Sequence, residues 1–105
     1  MIEEYNFDIE NYAKNIDGKN IIPVLIKYDC DKSIVKFAYD IVFEALEKFR
    51  IEKSISEFLK TKFDEKYDKT WHCVVGEDYS VSLTHDSRCF IFFMVDKYYV
   101  LLFKL

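Results

Sequence analysis

The stretch CFIFFMVDKYYVLLF, residues 89–103, contains two nearly unbroken apolar runs, Cys89 to Val95 and Tyr98 to Phe103. Only Asp96 and Lys97 separate them. Two β-rich runs a two-residue turn apart predict a hairpin. The turn lacks glycine, but aspartate tolerates the left-handed backbone that such turns require. Both strands are apolar on both faces. An antiparallel sheet usually leaves one face in water, and its strands then alternate apolar and polar residues. If two helices cover one face, something else must cover the other, and a second copy of the chain is the simplest cover. A bare CFIFFMV run would also be prone to aggregate. A homodimer is therefore expected from this stretch alone.

Upstream, Tyr79 to Thr84 alternates as a strand does, with Tyr79, Val81 and Leu83 on one face and Ser80, Ser82 and Thr84 on the other. Thr70 to Val75 is a further strand that ends at Gly76. Before these strands the period changes to that of helices. Ile34, Phe37, Ala38, Ile41, Val42, Ala45, Leu46 and Phe49 follow helical spacing, with Asp31 as the N-cap. A second helix is expected from Ser54, where Ser54 and Glu57 fit a capping box and Ile55, Phe58, Leu59 and Phe63 make the buried face. Ile21 to Tyr28 is a short β-rich run, and Pro23 within it marks an edge strand. Residues 1–21 form a weakly specified extension, ahead of a domain at 22–105. In the extension Ile2, Tyr5, Ile9, Tyr12 and Ile16 suggest a helical stripe, while Tyr5, Phe7 and Ile9 alternate as a strand would. Helices followed by short-turned strands define an α+β fold with two helices packed on an antiparallel sheet.

Composition bounds the function. The chain has 105 residues, ten Phe, eight Tyr, and only two Gly and one Pro, which is the make-up of one well-packed domain. A net charge of −4 offers no basic stripe for nucleic acid. No apolar run approaches the roughly 20 residues that span a bilayer. The opening MIEEYNFDIE is unlike a signal peptide. Three cysteines without framework spacing suggest free thiols in a reducing, intracellular setting.

Catalytic and metal chemistry find little support. His72, Cys73, His85 and Cys89 could be imagined as a zinc set, but structural zinc needs four converging ligands, usually with a cysteine knuckle. His72 and Cys73 are neighbours on a strand and point to opposite faces. No third group orients either histidine as a base for a cysteine nucleophile. No glycine-rich phosphate loop exists, and Asp64 and Glu65 fit a solvated helix face. No enzyme activity, metal or cofactor is expected.

The segments ALEKF, IEK, KFDEKY, TWHCVVG, the THD before CFIFF, and the terminal LLFK resemble the eight-kilodalton dynein light chain family over about Ile22 to Lys104. The resemblance implies a strand-swapped homodimer, in which the strand matching Tyr79 to Thr84 crosses into the partner's sheet. Each of two symmetric grooves then lies between that strand and the second helix of the other subunit. Partner peptides enter as an added antiparallel strand, backbone bonds giving affinity and alternate side chains giving specificity. The expected partners are the dynein intermediate chain or other proteins with short extended motifs, often threonine-glutamine-threonine. The expected setting is the cytoplasm, in the microtubule motor complex.

By the same resemblance, Glu52 and Lys53 match groove positions just before the second helix, where free backbone N–H groups hold the motif glutamine. Tyr79, Ser80, Val81, Ser82, Leu83, Thr84 and His85 match the swapped strand and its end. Phe90 and Leu101 match the groove floor, and Phe92, Met94 and Tyr99 complete the groove. His72 matches a histidine at the dimer interface, with Lys53, Tyr79, Val81, Leu83 and Thr84 as further interface positions. His72 is either a core histidine satisfied by hydrogen bonds or a pH-sensitive interface residue.

Departures from the family pattern are equally specific. Ser80 stands for glycine, Val81 for serine, Ser82 for tyrosine and Glu77 for arginine. Phe92 and Met94 stand for two tyrosines, and Tyr99 for alanine. A C-terminal serine of the family is absent, since the chain ends Lys104-Leu105. An altered peptide preference is expected, and with it the alternative of a diverged regulatory subunit dedicated to one motor or enzyme complex. Residues 4–10 have the alternation needed to occupy the chain's own groove; a plain solubilising tail is the other outcome.

Overall fold

The computed structural model describes residues 11–78 and 89–104. The elements are β1 (Lys14–Ile16), β2 (Lys19–Ile21), β3 (Val24–Asp29), α1 (Lys32–Lys48), α2 (Glu52–Tyr67), β4 (Trp71–Gly76), β5 (Cys89–Val95) and β6 (Tyr98–Lys104). The last four strands make one antiparallel sheet in the order β3-β5-β6-β4. The expected α+β architecture is therefore present.

The β5–β6 hairpin forms as its sequence predicts. Val95 pairs with Tyr98, and Asp96 takes the left-handed φ of 55°. The β-rich run after Pro23 lies at a sheet edge as expected, and Pro23 precedes β3 rather than interrupting it. A bulge at Ile26, between the Leu25 and Lys27 pairings, breaks the ladder of this edge strand. Such a break makes an exposed edge a poorer template for stray strands.

Helix α1 is buried on more than the expected stripe. Val35, Tyr39 and Phe43 are buried, whereas Ile34, Phe37 and Phe49 are half-buried. For Tyr39 and Phe43 part of the cover comes from residues 11–21. Tyr12 stacks on Tyr39 and on Phe43, each with ring centroids 6.0 Å apart. Behind it β1 and β2 form a hairpin whose turn residues Asp17 and Gly18 have φ of 53° and 79°. Its Ile16 and Ile21 are buried in the main core. A helix covered by sheet on one side and by this hairpin on another loses more than one stripe to the interior. The core boundary expected near Ile22 thus moves upstream, and Tyr12 to Ile16 is not helical.

Helix α2 starts two residues before Ser54, which corrects the capping-box expectation. Ile51 is the N-cap, Glu52 lies in the first turn, and among the described residues no side chain caps the helix start. The first-turn carboxylate of Glu52 instead complements the positive helix end. Asp31 does occupy the N-cap position of α1, but only its carbonyl is engaged there, accepting the N–H groups of Ile34 and Val35 at 3.0 and 3.3 Å. Along α2, Ile55, Leu59 and Phe63 are buried as expected, and Phe58 is half-buried against Phe49.

Asp64 joins the end of α2 to β4. Its carboxylate accepts the backbone N–H of Trp71 at 2.8 Å and the Lys60 ammonium at 2.6 Å. Burial alone would push this carboxyl up, but the two hydrogen bonds outweigh burial and hold it below its ordinary value. A carboxylate depressed in the folded state contributes stability above the unfolded value of about 4. That contribution fades as pH falls through the lower folded value. Asp64→Asn, which keeps an acceptor for Trp71 but drops the charge, should therefore flatten the loss of melting temperature below about pH 4. Parallel melting curves of parent and variant across the acid range check this. Identical acid slopes would remove Asp64 from the explanation.

Candidate dimer and peptide-binding face

The strand register sorts the sheet into two faces, because directly opposed residues project to the same side. On the helix-covered face lie Ile91, Phe93 and Val95 of β5 and Tyr98, Val100 and Leu102 of β6, all buried with the helices in the main core. The opposite face carries three rows. Lys27, Phe92, Leu101 and Val74 form the first. Asp29, Phe90, Phe103 and His72 form the second, and Val24, Met94, Tyr99 and Gly76 the third. Phe92 and Leu101 nucleate a separate small cluster with Tyr99 and Phe103, and no helix residue belongs to it.

This second face is apolar at its centre and along part of its margins. Leu101 is 1% exposed and Phe92 6%, whereas Val74 is 42% and Val24 50% exposed. The His72 ring stacks on Phe103 at 5.1 Å. The Tyr99 ring lies 6.2 Å from that of Phe92. The face expected from the doubly apolar strands is thus assembled by β3 to β6.

Of the expected groove residues, the fold brings Phe90, Phe92, Met94, Tyr99 and Leu101 onto this one face, next to His72. Residues 79–85, namely Tyr79, Ser80, Val81, Ser82, Leu83, Thr84 and His85, lie outside the described residues, as do residues 4–10. Glu52 and Lys53 occupy the first turn of α2 rather than preceding it. N–H groups of a first turn have no partner within the helix, so their capacity to hold a peptide acceptor is unaffected by that shift. Glu52 and Lys53 belong to the helix layer, across the sheet from Phe92 and Leu101.

Val74 and Phe103 were not singled out by sequence. Val74 sits two residues after His72 on β4, and that alternation places both on one face. Phe103 is identified by its pairing with His72, which only the register reveals. Cys73 faces the helices opposite Leu102, and burial pushes its thiol up. Among the described residues no three His, Cys, Asp or Glu side chains gather as a metal site.

Comparison with known proteins agrees with this geometry. The family model described as dynein light chain type 1 matches residues 23–105. A cytoplasmic dynein light chain of Emericella nidulans is 37% identical over 82 residues, spanning 78% of this chain and 87% of that protein. The dynein light chain-like domain of a Fasciola hepatica calcium-binding protein superposes with a TM-score of 0.68 at 19% identity, covering 79% of this chain and 91% of that one. The corresponding domain of CsTAL3 superposes with a TM-score of 0.65 at 13% identity, covering 76% and 88%. At such identities the two structures speak to the fold alone.

Proposed function

The chain belongs to the dynein light chain type 1 family, and from that premise we propose that it is a non-enzymatic, homodimeric adaptor that binds short extended peptides as an added β-strand. The observation that carries the proposal is the second sheet face, apolar at its centre and facing away from both helices. Two such faces placed together would cover Val74, Phe103 and their neighbours. In the strand-swapped arrangement that the family resemblance implies, the crossing strand of one chain would run beside Glu52 and Lys53 of the other. Backbone groups along that edge give affinity to any extended peptide, and two grooves on one dimer would hold two copies of a partner together. The similarity to a cytoplasmic dynein light chain favours a cytoplasmic, dynein-associated setting, with the dynein intermediate chain among the partners.

Side chains of the face favour a narrowed preference within this role. Tyr99 pairs with Gly76 and Met94, so a phenol ring stands where the family pattern has a methyl group. Phe92 and Met94 lack the hydroxyl groups of the tyrosines they replace. A peptide polar group that loses its partner there costs about 1–3 kcal/mol. Standard threonine-glutamine-threonine peptides should therefore bind weaker than is usual for the family by about that amount, roughly ten- to a hundredfold. Ser80→Gly with Tyr99→Ala should recover part of the loss. Titration calorimetry reads the affinity, and NMR reads which residues respond. Full affinity in the parent would overturn the altered preference; no response of residues 79–84 to any peptide would overturn the groove. A tiled peptide array yielding a single partner sequence would favour a dedicated subunit over a general adaptor.

A further inference from the structure

Two of the three cysteines meet at the start of the sheet. Asp29 pairs with Phe90 across β3 and β5, so the same antiparallel register places Cys30 opposite Cys89. Both thiols are free and half-buried, and both pack against the edge of the main core. The Cys30 thiol donates to the Phe90 carbonyl oxygen at 3.7 Å, and the Cys89 thiol lies close enough to raise the Cys30 titration. Opposed residues of antiparallel strands have Cα atoms about 4.5–5.5 Å apart. A disulfide accepts about 4.4–6.8 Å. The spacing typical of such an opposed pair falls within the disulfide range.

We infer that Cys30 and Cys89 form a reversible intramolecular disulfide site, oxidised by thiol–disulfide exchange with a small-molecule disulfide of the glutathione type. Cys89 is the entry point. Burial pushes its thiol up, and the neighbouring Cys30 offsets part of that rise. Burial and the neighbouring Cys89 both push Cys30 further up. The Cys89 thiolate attacks one sulfur of the small disulfide, whose S–S bond breaks and releases one small thiolate. Cys30 then gives up its proton and attacks the Cys89 sulfur of the mixed disulfide, releasing the second small thiolate. Two cysteine thiols are oxidised, one small disulfide is reduced to two thiols, and the two cysteine protons end on the released thiols.

Cys73 is excluded from this chemistry by its place in the sheet. It lies on β4, two strands from β5 in the order β5-β6-β4. Strands are about 4.8 Å apart, so two steps exceed the roughly 7 Å that a disulfide tolerates. The bond between Cys30 and Cys89 would close a loop holding both helices and β4, and would fasten the end of edge strand β3 where the chain enters α1. Closing a loop of that size restricts the unfolded chain and should raise the melting temperature by about 10 °C or more.

The test uses the full chain with oxidised glutathione. Digestion without reduction, followed by mass spectrometry, should show one linked peptide containing Cys30 and Cys89, with two hydrogens lost and both recovered by dithiothreitol. The oxidised protein should melt about 10 °C higher than the reduced one. Cys73→Ala should behave as the parent does, Cys30→Ser should stop at a mixed disulfide on Cys89, and Cys89→Ser should give no linked peptide. Should either serine variant fail to fold, the linked peptide and melting shift of the parent still decide. Glutathione adducts without a link in the parent, a link through Cys73, a link between two chains, or an unchanged melting temperature would overturn the inference.

Discussion

His72→Lys is expected to convert the proposed dimer into a monomer at micromolar concentration. His72 lies on the apolar sheet face, stacked on Phe103 and two residues from Val74. A second chain closing on this face would remove it from water. A lysine ammonium enclosed there without a partner costs several kcal/mol, about 3–5 for a broken buried pair, which weakens association by roughly two to three powers of ten. Val74→Lys provides the companion measurement. Val74 is 42% exposed in the single chain, so a lysine there disturbs the fold of one subunit little while facing the same desolvation on dimerisation. Sedimentation equilibrium on parent and both variants reads the outcome, with circular dichroism to establish that each remains folded. Folded variants as tightly dimeric as the parent would sink the assignment of this face to the dimer.

The apolar outer face and its hairpin were legible because their determinants are local. Two apolar runs separated by Asp96-Lys97 dictate a hairpin through turn chemistry alone, and the absence of alternation exposes the need for a second cover. Val74 and Phe103 were not legible, because their role comes from register across strands that are distant in sequence. The hairpin of residues 14–21 was missed although its signature is present: Asp17-Gly18 between two copies of Lys-Asn-Ile. A three-and-four spacing through Ile16 mimicked a helix and hid it. Misreading residues 11–21 also hid part of the cover of Tyr39 and Phe43, on which Tyr12 stacks. At α2 a real capping pattern, Ser54 with Glu57, lost to a helix already set by burial of Ile55, Leu59 and Phe63. A cap contributes about 1 kcal/mol, whereas each fully buried large apolar side chain contributes about 1.5–3 kcal/mol.

Trp71→Ala should remove a large part of the folding stability, whereas Trp71→Phe should remove little. Trp71 is 2% exposed at the start of β4. Its ring meets Phe63 at 4.9 Å and Tyr67 at 6.2 Å, and the Lys104 ammonium lies 6.0 Å from its centre. It is therefore the contact through which α2 grips the sheet, and Asp64 fixes its backbone from the same helix. Truncation to alanine opens a cavity where α2, β4 and β6 meet and should cost about 3–5 kcal/mol. For a domain holding about 5–15 kcal/mol in all, that is a third or more of the total. Phenylalanine keeps an aromatic ring against Phe63. It also removes the indole N–H, which is buried without a hydrogen-bond partner among the described residues. Leaving such a group unmade costs about 1–3 kcal/mol, which offsets much of the smaller ring's lost packing. The phenylalanine variant should thus fall within about 1.5 kcal/mol of the parent. Trp71 is the sole tryptophan of the chain, so urea unfolding must be followed by circular dichroism rather than indole fluorescence. If phenylalanine proved as damaging as alanine, the indole N–H would be contributing to stability, and the packing account of this position would fail.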